Sequence, residues 1–245
     1  NTTSTTRLTA YINCSFTEAA TFTMTYVNNA NFTFDPSSTL IMGAGVGETP
    51  DFTAILDFRN CTNLIVSGGN FDGQAITQGG TGSHPQGIAF IDCSNCLAIG
   101  VNITQVRMFG FIVGDNIVGH SPSGIRNSRV TFSGWNDIQI GAMPDVVGTC
   151  PTVGAYAINN TVGYASDICI STYGWNCTIS NNTILAANGT TGGGYSANWG
   201  IGVEDGGYHT ITNNIVYNCT SGIGASKSLV KNNTVINCSS GLWLS

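Results

Sequence analysis

A doubled asparagine between two short apolar stretches recurs along the C-terminal half of the chain, and no other feature restricts the fold as much. It appears in Thr178-Ile179-Ser180-Asn181-Asn182-Thr183-Ile184, in Thr210-Ile211-Thr212-Asn213-Asn214-Ile215-Val216 and in Leu229-Val230-Lys231-Asn232-Asn233-Thr234-Val235. Weaker copies, Ile158-Asn159-Asn160-Thr161-Val162 and Ile125-Arg126-Asn127-Ser128-Arg129-Val130, carry the series toward the N-terminus. A second recurring stretch follows a small or turn-forming residue: Gly87-Ile88-Ala89-Phe90, Gly110-Phe111-Ile112-Val113, Asp137-Ile138-Gln139-Ile140, Asp167-Ile168-Cys169-Ile170, Gly200-Ile201-Gly202-Val203, Gly222-Ile223-Gly224-Ala225 and Gly241-Leu242-Trp243-Leu244. Successive copies lie about 19 to 33 residues apart, the signature of stacked repeats with loops of unequal length.

Each stretch is short, β-branched and bounded by Gly, Asn or Ser, which excludes helix. One coil cannot bury its apolar face alone, so coils stack about 4.8 Å apart and like residues fall above like. An Asn at a bend tolerates left-handed backbone, and its amide can bond the amide of the Asn above. Asn182, Asn214 and Asn233 are therefore expected to form a ladder. The pattern resembles the right-handed parallel β-helix superfamily, which includes pectate lyases, polygalacturonases and phage tailspikes. The resemblance implies an all-β solenoid over residues 51–245, with residues 1–50 as a strand-rich cap or first coils.

Composition narrows the partners. Only 8% of residues are charged and the net charge is −6 with 7 Lys plus Arg, so no basic face exists for nucleic acid. No apolar run is long enough to span a bilayer. Nine cysteines and about a dozen Asn-X-Ser/Thr sites point to a secreted or cell-surface glycoprotein. The candidate glycosylation sites are Asn13, Asn31, Asn60, Asn102, Asn159, Asn176, Asn181, Asn188, Asn218, Asn232 and Asn237. Cys219 and Cys238 each follow the laddered Asn by five residues, which places them on adjacent coils within disulfide reach. Cys61, Cys93 and Cys96 form a second local group. Cys93-X-X-Cys96 lacks the second pair a structural zinc site needs, so no metal is implied.

Chemistry is sought on the second stretch. Aligned by the residue before it, Asp137 falls directly below Asp167, and two carboxylates one coil apart have the spacing of a retaining glycosidase. Ala165-Ser166-Asp167-Ile168-Cys169-Ile170 resembles the Gly-Asp-Asp-Cys-Ile signature of polygalacturonases, and Trp135-Asn136-Asp137 resembles their Asn-Thr-Asp. Ser166 replaces one of that family's paired Asp, Trp199 stands where its His falls, and of its Arg-Ile-Lys only Lys227 is kept. The alternative is that both Asp serve turns. Trp135, Trp175 and Trp199, with Tyr173, lie near the loops of three successive coils and form a candidate sugar-stacking platform or a set of loop anchors. Asp205 and Lys227 are read as a surface ion pair. No cofactor is implied, although Asp92 with Asp115 resembles the acidic columns that hold Ca²⁺ in pectate lyases; two carboxylates alone supply too few oxygens.

Ser240-Gly241-Leu242-Trp243-Leu244-Ser245 reads as an apolar strand with no polar cap after it. The expectation drawn from it is an extracellular structural or adhesive protein that self-associates head to tail as a filament or surface assembly. The alternatives are a polysaccharide-active enzyme, hydrolase or lyase, and a non-catalytic glycan-binding module.

Overall fold

The computed structural model describes residues 7–18, 22–42, 54–74, 86–114, 120–141, 152–185 and 199–245. Within them, 27 short strands form three nine-stranded sheets, and each strand pairs in parallel with the strand three places later in the chain. Sheet A runs from Leu8–Ile12 to Leu229–Lys231, sheet B from Phe16–Glu18 to Thr234–Ile236, and sheet C from Phe22–Thr25 to Ser240–Leu244. One coil takes a strand from each sheet; Thr178–Ser180, Thr183–Leu185 and Trp199–Val203 make one such turn of the solenoid. The chain is a parallel β-helix, and the strand-rich N-terminal segment contributes to all three sheets from Leu8 onward.

Stacking in register builds the core. Ile103, Val130, Val162, Ile184 and Val216 of sheet B form one buried column. Ala98, Ile125, Ala157, Ile179 and Ile211 of sheet A form another. Ile88, Phe111, Ile138, Ile170, Ile201 and Ile223 of sheet C complete the lining. Early coils are filled by phenylalanine, with Phe32, Phe58 and Phe90 spaced 5.8 and 5.6 Å between ring centres. Later coils use Ile and Val, whose branched side chains suit the pleated surface and interdigitate with their neighbours above.

The doubled asparagine divides its labour. The first Asn of each pair (Asn159, Asn181, Asn213, Asn232), and Asn127 before Ser128, takes positive φ, 50–57°, at the corner between sheets A and B. The second faces inward and makes the ladder: Asn160 Nδ2 donates to Asn182 Oδ1 at 3.0 Å, Asn182 Nδ2 to Asn214 Oδ1 at 3.0 Å and Asn214 Nδ2 to Asn233 Oδ1 at 2.9 Å. The same oxygens accept the backbone N–H of the residue below, and Ser128 N–H extends the series by donating to Asn160 Oδ1 at 3.0 Å. One side chain thus satisfies the otherwise orphaned buried donors of a corner. In earlier coils Gly68 and Gly100 hold the left-handed place.

The cysteines follow a related rule. Cys219 and Cys238 stand level on adjacent coils, two residues before the Ser221–Ser240 register pair, and no disulfide joins them. In place of the expected disulfide, Cys219 Sγ donates to Tyr217 O at 3.4 Å and Cys238 Sγ to Ile236 O at 3.6 Å, and the two thiols lie close enough to act on each other. Cys61, Cys93, Cys96 and Cys177 make the same contact with the carbonyl two residues earlier. Cysteine serves here as a small, buried donor that closes a turn.

Candidate functional site

The register of sheet C separates the two aspartates that the sequence placed one above the other. Ile138 pairs with Ile170, so Asp137 stands level with Cys169, and Asp167 stands level with Trp135. Asp137 is 0% exposed and points into the solenoid, where its Oδ1 accepts the Ser133 N–H at 3.1 Å. Burial holds its carboxyl well above the usual range, and no polymer reaches it. It occupies an inward column held by Cys169 on the coil above and by Gly110 on the coil below, where a Cβ on Gly110 would lie 2.2 Å from Val130 Cγ1. Ile168 and Ile170 read alike in sequence, but Ile170 joins the central core while Ile168 lies against Gly202 on the outer side, so Asp167 falls two residues short of the Asp137 level.

Asp167 finds a different acidic neighbour. Its Oδ2 accepts the Trp135 indole N–H at 2.9 Å, and burial raises its carboxyl above the ordinary value against that hydrogen bond. Ser171, Thr172 and Tyr173 lead out of the same strand, and the strand above pairs Ser171 with Gly202 and Thr172 with Val203. Glu204 therefore arrives beside Tyr173. Glu204 Oε2 accepts the Ser171 hydroxyl at 2.9 Å, and burial raises its carboxyl, with the Asp167 charge adding to the rise and hydrogen bonds from Tyr173 and Ser171 opposing it. The Tyr173 hydroxyl is pushed up first by burial and then by its bond to Glu204. The result is a set of one tyrosine and two carboxylates on the outer face of sheet C, whose acids feel each other's charge. Neither the pairing nor Glu204 was visible in the sequence, because it depends on which coil residue lies above which.

Aromatic rings bracket this set. Trp175 and Tyr208 meet at 5.9 Å on the corner between sheets C and A, with Tyr208 67% exposed. Phe132 and Tyr164 stack at 4.8 Å and 7° on the corner between sheets B and C, both with positive φ. Trp135 stacks on Phe109 at 5.7 Å and anchors a small outer cluster with Met108 and Ile112. Trp199 lies across Gly224, where a Cβ would fall 2.2 Å from its ring, and meets Trp243 at 6.0 Å. The three predicted tryptophans are all half-buried and do not form a single platform: Trp135 packs on Phe109, Trp175 on Tyr208 and Trp199 on Trp243.

The remaining candidates do less. Asp205 accepts the Gly206 N–H at 2.7 Å, and the ion pairs among the described residues are Arg59–Asp57 and His120–Asp92, so the Asp205–Lys227 bridge is not formed. Asp115, proposed with Asp92 for Ca²⁺, and Asn188 lie outside the described residues. No metal-binding group of three His, Cys, Asp or Glu occurs among the described residues, and no helix there is long and apolar enough to cross a membrane. Of the candidate glycosylation sites, Asn60, Asn159, Asn176, Asn181, Asn218, Asn232 and Asn237 have positive φ. Turn geometry alone calls for asparagine there.

No protein-family model and no curated protein matches the chain. Solved structures do. The Dettilon tailspike protein matches 91% of the chain at 15% identity with a TM-score of 0.55, and the PL6-family alginate lyase AlyGC matches 96% at 14% identity with a TM-score of 0.60. The Streptococcus pneumoniae surface protein and adhesin PfbA matches 97% at 10% identity with a TM-score of 0.52. The chain spans 47% of the tailspike structure, 37% of the lyase and 91% of the adhesin. At these identities the likeness concerns the fold, and with the three parallel sheets it makes this chain a right-handed parallel β-helix.

Proposed function

We propose that the chain is an extracellular, adhesive β-helix that holds a polysaccharide on the outer face of sheet C. One observation carries the reading: Asp167, Glu204 and Tyr173 converge there, between the aromatic pairs Trp175–Tyr208 and Phe132–Tyr164. Carboxylates accept paired sugar hydroxyls, and aromatic faces pack on the apolar side of a pyranose ring. The likeness to a tailspike, a surface adhesin and an alginate lyase supports a surface location and a carbohydrate partner. Affinity electrophoresis of the purified chain through gels containing different polysaccharides tests the proposal. At least one polymer should retard it, and Tyr208→Ala or Glu204→Gln should weaken retardation without lowering the melting temperature. Unchanged mobility in every polymer refutes the reading.

A catalytic reading draws on the raised carboxyls of Asp167 and Glu204, since a glycosidase keeps one carboxyl protonated beside one ionised. Release of reducing ends, abolished by Asp167→Asn and by Glu204→Gln, would establish it; binding without release leaves the adhesive reading in place.

A second proposal, head-to-tail association, draws on the apolar strand Ser240–Leu244, whose Leu242, Trp243 and Leu244 are 54%, 62% and 57% exposed. Sedimentation of the purified chain should show concentration-dependent association that Trp243→Ser reduces. A monomer at every concentration would dismiss it.

A further inference from the structure

The cations of the chain can all be placed. The sequence holds seven Lys and Arg, and every one stands among the described residues. Arg7 donates to Asn63 O at 2.7 Å, and Arg59 pairs with Asp57 at 2.8 Å on an early coil. Arg126 and Lys231 end strands of sheet A, and Arg129 begins a strand of sheet B, so none of the three stands on sheet C. Arg107 lies one coil below Trp135 and has partners of its own. Lys227 stands at the corner one coil above Asp205, with its side chain against Gly207.

Against this, the outer face of sheet C gathers Asp167, Glu204 and Asp205, and all three act on the Tyr173 hydroxyl. A polymer with a carboxylate on every sugar would bring its charges onto this acidic set with one lysine at the rim to meet them. Like charges brought together on desolvation oppose binding strongly, and an unpaired carboxylate stripped of water adds to the cost. A sugar bearing only hydroxyls has the opposite fit. Its O–H groups donate to Asp167 and Glu204, and its ring covers Trp175 or Tyr208.

We infer that the sheet-C site takes a neutral glycan and discriminates against polyuronates. The inference rests on the polysaccharide-binding reading and specifies its ligand. It separates this chain from the alginate lyase of the same fold, whose named polymer is a polyuronate.

The test compares mobility of the full chain in gels of neutral polymers (a glucan, a galactomannan, a xyloglucan) with mobility in alginate and polygalacturonate. Apparent affinity should be at least about tenfold higher for one neutral polymer than for either polyuronate. Its retardation should change little between low and high salt, because no ion pair carries it. Glu204→Lys should lose the neutral polymer and gain salt-sensitive retardation by polygalacturonate, with the β-sheet circular dichroism of the unaltered chain retained at the assay temperature. Preference of the unaltered chain for a polyuronate overturns the inference while leaving glycan binding intact. Absence of retardation by any polymer removes both.

Discussion

Replacing Asn214 by Ala should cost far more stability than replacing its neighbour Asn213, although the two are adjacent and chemically identical. Asn214 is 0% exposed. Its Oδ1 accepts the Asn182 N–H at 2.9 Å and Nδ2 at 3.0 Å, and its own Nδ2 donates to Ile179 O at 3.0 Å and Asn233 Oδ1 at 2.9 Å. At about 1 kcal/mol net for each of these four bonds, and more where a buried donor such as the Asn182 N–H is left unpaired, the loss is roughly 4–6 kcal/mol. Asn213 is exposed with φ 57°, so Ala there costs only the left-handed backbone penalty of about 1 kcal/mol, and Gly costs close to nothing. Asn233, half-buried on the last coil, should fall between the two. Urea unfolding followed by tryptophan fluorescence measures all four variants. If Asn214→Ala lies within about 1 kcal/mol of Asn213→Ala, the ladder does not stabilise the corner and the reasoning fails.

Three further outcomes follow from particular side chains. His209 is 1% exposed, its Nδ1 accepts the Cys177 N–H at 3.2 Å, and burial lowers its pKa to about 4. A folded pKa below the unfolded one gives stability present above about pH 6.5 and lost as pH falls toward 4, roughly 2–3 kcal/mol in all; His209→Ser, the residue this column carries at Ser123, should flatten that part of the melting profile. Asp137 has the opposite sign: its folded pKa is raised by burial, so stability present below the ordinary carboxylate pKa is lost as pH rises, and Asp137→Asn should raise the melting temperature at pH 8 and leave it unchanged near pH 3. Gly224→Ala should displace the Trp199 ring, visible as a changed near-ultraviolet dichroism, whereas Gly100→Ala meets nothing within 4 Å and should show only the cost of its positive φ.

The solenoid was legible because its repeat is a physical device at each corner. An Asn-Asn pair between β-branched triplets states where the backbone turns left-handed and where a buried amide must meet its copy, and Asn182, Asn214 and Asn233 meet as that logic requires. What the pattern did not carry was the split of roles within the pair. It also could not show that the Asn before Cys61, Cys177, Cys219 and Cys238 is a turn residue with positive φ.

The site was illegible for a reason built into the same repeat. Asp167 and Glu204 are separated by 37 positions and come together only because Thr172 pairs with Val203, a register set by hydrogen bonds between coils. Apolar alternation fixes which residues face inward, but it is blind to a shift of two, and such a shift exchanges Cys169 for Asp167 as the neighbour of Asp137. Inward columns hide the error, since Ile168 and Ile170 read alike although only Ile170 joins the central core. Outward columns do not, since each two-residue step there sets a different side chain beside Glu204. A solenoid of this kind therefore displays its fold in the residues that repeat and its chemistry in those that do not, and the second can be read only after the first has been put in register.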